Sequence, residues 1–206
     1  MAKVGERRDQ QRLALIEAAE RAIEGRGLAG LKARELAAEI GVALGAIYNL
    51  VEDLDELALR VAGRTLERLD AALSEASRRA PDASPVDQLV AVAVAYRRFA
   101  SDNLHLWRTL FEHRMAPGRP VPDWALGDQM ALFRHILAPL RILRPDLDAT
   151  AHFRLSQTLF GAVHGVVWLG LEEKFVGLPP DELDAQIEAL TRMVCAGLGE
   201  QIIDRV

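Results

Sequence analysis

The stretch Leu36-Ala37-Ala38-Glu39-Ile40-Gly41-Val42-Ala43-Leu44-Gly45-Ala46-Ile47-Tyr48 decides how this chain is read. Ala33, Leu36, Ala37 and Ile40 recur at helical spacing, so a short helix is predicted over residues 32–40, stopped at Gly41. A second short helix is predicted over 43–50, with Ile47 and Val51 at i,i+4 on its inner side. Gly41 permits a tight turn between them and Val42 closes a small core. Helix, glycine turn, short helix is the sequence shape of a helix-turn-helix. An ordinary helix hairpin has the same spacing, and the spacing alone leaves both open.

Working outward, Leu15, Ala19 and Ala22 with Ile16 and Ile23 form an apolar stripe that predicts a helix over 7–24, ended by Gly25, Gly27 and Gly30. Asp53 with Glu56 three residues on is a capping-box-like start for a long helix to about Arg79. Ser84-Pro85 offers an N-cap followed by proline at the first helical position, so helices are expected at 85–101 and 104–115. The prolines and Gly118 of 116–122 read as a loop. A helix over 123–143, kinked or ended at Pro139, and two long helices at 146–175 and 180–203 complete an all-α prediction.

Composition agrees with that class. Only 29 of 206 residues are Val, Ile or Thr, while Ala, Leu, Arg and Glu dominate, which favours helix over strand. Half the residues are hydrophobic, which excludes a disordered chain. The single Cys195 excludes an internal disulfide framework and fits a reducing compartment. Nothing in the first dozen residues reads as a secretory signal, and the longest near-apolar run, 89–96, is too short for a membrane span. The expectation is a soluble cytoplasmic protein. The net charge is −5, but residues 1–50 carry +1 and residues 51–206 carry −6, so the N-terminal part is the less acidic one.

Arg34-Glu35-Leu36-Ala37, Gly41-Val42, Gly45 and Ile47-Tyr48, followed by Asp55-Glu56-Leu57, resemble the N-terminal signature of the tetracycline-repressor-like (TetR/AcrR) transcriptional regulators. The resemblance covers about residues 10–60. It implies an N-terminal three-helix DNA-binding unit at 1–50, followed by a larger helical ligand-binding and dimerisation domain at 51–206. The expected partners are double-stranded operator DNA, a small hydrophobic effector and a second copy of the chain. Arg7, Arg8, Arg12, Lys32 and Arg34 would meet phosphates, with Tyr48 as a hydroxyl donor. Asn49 suits adenine, and Leu44 or Ala46 suits thymine methyls. Ala43 and Gly45 complete the DNA-facing set.

Four positions depart from the family pattern, Ala43, Leu50, Val51 and Leu54. Ala43 stands where Ser or Thr usually caps the recognition helix, a loss of about 1 kcal/mol. Tyr48-Asn49-Leu50-Val51 replaces Tyr-x-His-Phe, and Leu54 replaces a phosphate-binding Lys inside the acidic run Glu52-Asp53-Leu54-Asp55. Weaker phosphate affinity is expected, since each lost cation removes part of the counterion-release contribution. Arg34 has an alternative role as an intramolecular partner of Glu35 or Glu39.

Farther along, Tyr96-x-x-Phe99-Ala100-x-x-Asn103, Leu106-Trp107, Leu110-Phe111 and Phe160-Gly161-x-x-His164-Gly165 are similar to the ligand-binding domain named for its Trp-His-Gly motif, with Phe160 near the Trp position. Phe99, Trp107, Phe111, Phe133, Phe160, His164 and Trp168 come from four predicted helices and are candidates to line an apolar effector pocket. Plain core is the competing reading for aromatics at helical spacing. The apolar faces at Leu155, Leu159, Ala162, Val166, Leu190, Val194 and Leu198 are expected to build a homodimer. Gly25-x-Gly27-x-x-Gly30 matches a dinucleotide fingerprint by letter, but it follows a helix where that motif needs a strand. The five histidines lack paired ligand spacing and Cys195 lacks a neighbouring base. No catalytic residue, metal or cofactor is therefore expected.

Overall fold

The computed structural model describes residues 2–79, 81–116, 118–172, 178–179 and 181–198, and among them there are ten α-helices and no strand. By packing, these fall into two compact units. The first comprises residues 1–68 and 103–128; the second comprises 69–102 and 129–206.

The first unit holds α1 (Ala2–Arg26), α2 (Ala33–Glu39), α3 (Leu44–Ile47), the first part of α4 (Leu54–Arg79), α6 (Leu104–Glu112) and most of α7 (Asp123–Ala131). One apolar cluster holds it together: Leu15 and Ile23 of α1, Leu36 of α2, Ile47 of α3, Leu57 and Val61 of α4, and Leu106 of α6 are all buried. Complete burial of a side chain of this size stabilises by about 1.5–3 kcal/mol. The 3-10 turn Gly27–Gly30 folds tightly onto α1, since a Cβ on Gly30 would sit 2.2 Å from the Ala22 carbonyl oxygen. Gly41 turns α2 into α3 at φ +70°, left-handed backbone that a side chain would strain. The third helix is shorter than the predicted 43–50: residues 48–50 form a turn. Asp53 caps α4 by accepting from the Glu56 amide at 2.8 Å, while the Glu56 carboxylate reaches back to the Glu52 amide at 2.5 Å. The His105 ring nitrogen Nδ1, 2.8 Å from the Glu24 carbonyl oxygen, fastens α6 to the end of α1.

These packing units do not follow a division at residue 50. Helices α2 and α3 are too short to enclose a core with α1 alone, so α4 and α6 complete it.

The second unit holds the rest of α4 with α5 (Pro85–Asp102), α8 (Arg134–Leu143), α9 (Ala149–Leu171) and α10 (Leu183–Leu198). Helix α5 packs between α8 and α10, and α9 lies against both of those as well. Ser84 caps α5 through the Asp87 amide at 3.2 Å, as Ser84-Pro85 predicts, and Asp148 caps α9 through the Ala151 amide at 2.8 Å. Buried Arg144 holds Asp146 through Nε at 2.8 Å and donates to the Leu198 carbonyl at 3.1 Å.

The single helix expected over 123–143 is two helices, and its break is not at Pro139. Leu132 and Phe133 separate α7 from α8, where the Phe133 and His135 amides bond three residues back, at 3.2 Å each. Pro139 lies buried within α8, where its missing amide removes one rung without ending the helix. The described parts of the two C-terminal helices are shorter than 146–175 and 180–203; residues 173–175, 180 and 199–203 of that expectation lie outside the described residues. Leu155, Leu159 and Leu198, expected on a dimer face, are buried in the second unit itself. Ala162, Val166, Leu190 and Val194 are half-exposed, with Leu169 and Met193 exposed near them in sequence.

Candidate functional site

The end of the helix-turn-helix presents an apolar and polar surface to solvent. Ala43 opens α3 in extended backbone, φ −65° and ψ 147°, with no side-chain cap, so the first amides of α3 have no side-chain acceptor there. Leu44 is 42% exposed and Tyr48 52%; Gly45 and Asn49 are also exposed, Ala46 is half-buried, and Ile47 anchors the other side in the core. Arg8 Nε donates to the Asn49 carbonyl at 3.1 Å, tying the start of α1 to the end of this surface. Arg7 is exposed on α1.

The carboxylates that compete for Arg34 are already engaged. Glu35 meets Arg26 Nη2 at 2.6 Å and Lys32 Nζ at 3.0 Å, and Glu39 meets Arg21 Nη2 at 2.8 Å. Hydrogen bonds from Arg26 and then Lys32 hold the Glu35 carboxyl below its ordinary pKa. Arg34 is exposed and carries no ion pair among the described residues, whereas Lys32 is partly neutralised.

The aromatic candidates make ring contacts within each unit. Trp107 and Phe111 pair edge to face at 5.4 Å in the first unit, with Trp107 buried and Phe111 exposed. In the second unit, Phe133 meets Phe160 at 5.7 Å, Phe160 stacks on His164 at 5.4 Å, and His164 meets Trp168 at 5.7 Å. Phe99 is buried on α5. Two members of the second cluster were not in the candidate set. Phe153 packs on Phe133 at 5.4 Å, and Tyr96 meets Phe160 at 5.7 Å while its hydroxyl lies 2.7 Å from His164 Nδ1. The spacing of 153, 160, 164 and 168 along one helix face could have signalled Phe153. Tyr96, 68 residues from its partner, has no such local signal. Burial pushes the His164 pKa down, so the ring is neutral at pH 7 and offers one donor and one acceptor within an aromatic wall.

Among the described residues no group of three or more His, Cys, Asp or Glu could hold a metal ion, and no helix is long and apolar enough to cross a membrane.

A helix-turn-helix in an all-α chain with a second, larger helical unit defines a class that comparison with known proteins makes specific. Residues 89–194, just over half the chain, match the family described as tetracyclin repressor-like, C-terminal domain. The chain belongs to the tetracycline-repressor-like family of transcriptional regulators. No curated protein matches it. Among solved structures it is similar to a protein with unknown function from Rhodococcus sp. RHA1, at 25% identity and TM-score 0.74, covering 91% of this chain and 94% of that one. It shares its fold with a TetR-like transcriptional regulator from the same source (20% identity, TM-score 0.61, 92% and 96% covered). The same holds for the TetR family transcriptional regulator PfmR from Thermus thermophilus, at 14% identity and TM-score 0.60, with 88% and 97% covered.

Proposed function

We propose that the chain is a cytoplasmic, homodimeric repressor that binds operator DNA and is released by a small apolar effector. The observation that carries this reading is the exposed Leu44, Tyr48 and Asn49 surface after the Gly41 turn, with Arg34 on the preceding helix exposed and without an ion pair among the described residues. Tyr48 and Asn49 would read groove edges, and Arg7, Arg8 and Arg34 would meet phosphates. A two-fold dimer built on α9 and α10 would place two such surfaces on successive major grooves, with half-exposed Ala162, Val166, Leu190 and Val194 in the interface. The Tyr96, Phe133, Phe160, His164 and Trp168 cluster is the effector site in this reading, and its position at the Phe160-Gly161-x-x-His164-Gly165 segment supports the Trp-His-Gly sub-family. The effector would favour the conformation whose recognition helices are wrongly spaced, so that differential affinity lowers DNA occupancy.

The uncapped Ala43 favours one other reading, an interaction protein of the same fold that no longer binds operator DNA. Capture of fragmented genomic DNA by the purified protein, followed by salt titration of the retained fragments, separates the two. Discrete fragments with salt-sensitive affinity support the repressor; no retention at low salt refutes it.

A further inference from the structure

No Lys or Arg occurs between Arg34 and Arg60, whereas Glu35, Glu39, Glu52, Asp53, Asp55 and Glu56 do. The segment that carries the DNA-facing surface is therefore purely acidic in its own sequence, and its cations must come from elsewhere. Around α2 they come from Arg21, Arg26 and Lys32. At the start of α4 they come from the loop 113–122, far along the chain but in the same compact unit.

Arg119 Nη2 lies 2.9 Å from Glu52 Oε1, and its Nη1 bonds Asp53 Oδ2. The loop is seated around that contact. The Arg119 amide donates to the Ala116 carbonyl at 3.0 Å, the Ala116 amide donates to Asp55 Oδ2 at 3.3 Å, and His113 Nε2 is 3.8 Å from Asp55 Oδ1. Just beyond it, Trp124 at the start of α7 has the Arg60 guanidinium 5.3 Å over its ring. Glu52 follows Asn49 by three positions, a span of at most about 11 Å, which is close to one Debye length at 0.1 M salt. A phosphate near Tyr48 or Asn49 would thus feel the Glu52 and Asp53 charges unless something cancels them.

We propose that Arg119 is a charge-compensating positioning residue for DNA binding: it offsets one of the two negative charges that Glu52 and Asp53 place at the acidic start of α4, so that the recognition surface can approach the phosphate backbone, without touching DNA itself. The proposal rests on the DNA-binding reading above and adds to it a residue that tunes the approach to phosphate.

The test uses the full chain and a fluorescein-labelled duplex that the wild-type protein retains from fragmented genomic DNA. Arg119→Ala should weaken binding by roughly threefold to tenfold at 50 mM salt, with the deficit shrinking toward 300 mM as screening increases. Arg119→Lys should keep most of the affinity. Adding Glu52→Gln and Asp53→Asn to Arg119→Ala should restore affinity to the wild-type level or above, because the three positions then carry no charge where the wild-type trio sums to −1. Asn at 53 keeps an oxygen for the Glu56 amide, so the α4 cap survives. If Arg119→Ala binds like wild type at every salt concentration, or if it binds weakly and the neutralising pair does not rescue it, the proposal is overturned while the DNA-binding reading stands. If the wild-type chain retains no duplex at any salt concentration, both fall.

Discussion

Replacing Leu106 by Ala tests whether α6 is an integral part of the unit that carries the helix-turn-helix. Leu106 is fully buried in the cluster that also holds Leu15, Ile23, Leu36, Ile47, Leu57 and Val61, and among the described residues it is the only member of that cluster from outside residues 15–61. Truncation of a fully buried leucine costs about 3–5 kcal/mol, the lost transfer free energy plus the cavity left behind. Taking about 3 kcal/mol, with tenfold for each 1.4 kcal/mol, the opening equilibrium of the unit rises by roughly two orders of magnitude. Hydrogen exchange followed by mass spectrometry reads this directly. Peptides spanning residues 14–23 of α1 should lose about a hundredfold in protection, and so should those from α2 and α4, whereas the α9 and α10 peptides of the second unit serve as the reference. If only the α6 peptides exchange faster while α1 keeps wild-type protection, α6 merely leans on a self-sufficient three-helix unit and the reasoning is refuted.

Gly30→Ala should lower the melting temperature by about 5 °C or more, because its Cβ would meet the Ala22 carbonyl oxygen, a backbone atom that cannot turn aside; an unchanged melt would show that the 3-10 turn adjusts freely. Asp146 is held at a pKa of about 2 by the Arg144 guanidinium. Its folded-state value is depressed, so its contribution to stability is present above pH 4 and is lost as pH falls toward 2; Asp146→Asn should flatten that part of a pH-stability curve measured by urea midpoints. Tyr48→Phe and Asn49→Ala should each weaken binding to a captured genomic duplex by about 1–3 kcal/mol without altering the thermal melt. Equal affinity of Asn49→Ala for that duplex and a scrambled one, at the wild-type level, would remove Asn49 as a base reader. An apolar effector should change the fluorescence of a variant that keeps only Trp168, since that ring meets His164 in the proposed effector cluster; unchanged fluorescence across a screen of apolar compounds would remove the cluster as the effector site.

The local punctuation of the fold was legible in the sequence. Gly41, the Asp53 and Glu56 pair and Ser84-Pro85 each mark a helix boundary through an interaction spanning at most a few residues, and the structure has boundaries at all three. Pro139 misled because a missing amide weakens one rung only, and the actual break at Leu132-Phe133 has no glycine or proline to announce it. The exposed residues Leu44, Tyr48 and Asn49, the surface proposed to face DNA, lie in the same short stretch that gives the helix-turn-helix. The pairing state of Arg34 was not readable there, because it depends on Arg21 and Arg26 of α1 occupying Glu39 and Glu35 first.

Periodicity identifies an apolar face but not the core that receives it. Leu106, Trp107 and Phe111 read from sequence as part of the C-terminal sensor, yet α6 packs with residues 1–68, while Phe133 and Phe160 pack in the other unit. This allocation follows from size. A segment of about 50 residues buries too small a fraction of its surface to be stable by a wide margin, so α1 to α3 gain stability from any apolar helix brought to them. Here that helix is α6, and its recruitment has a topological consequence. The chain passes between the two units at 68/69, 102/103 and 128/129. The first crossing lies inside α4 and the third inside α7, so continuous helical hydrogen bonds run through both. Displacing either helix on one side of its crossing without moving the other side requires breaking those bonds, at about 0.5–1.5 kcal/mol for each one. The chain therefore joins the two units through helical backbone at α4 and at α7, while Leu106 in the core and His105 on the Glu24 carbonyl both hold the intervening helix α6 to the first unit.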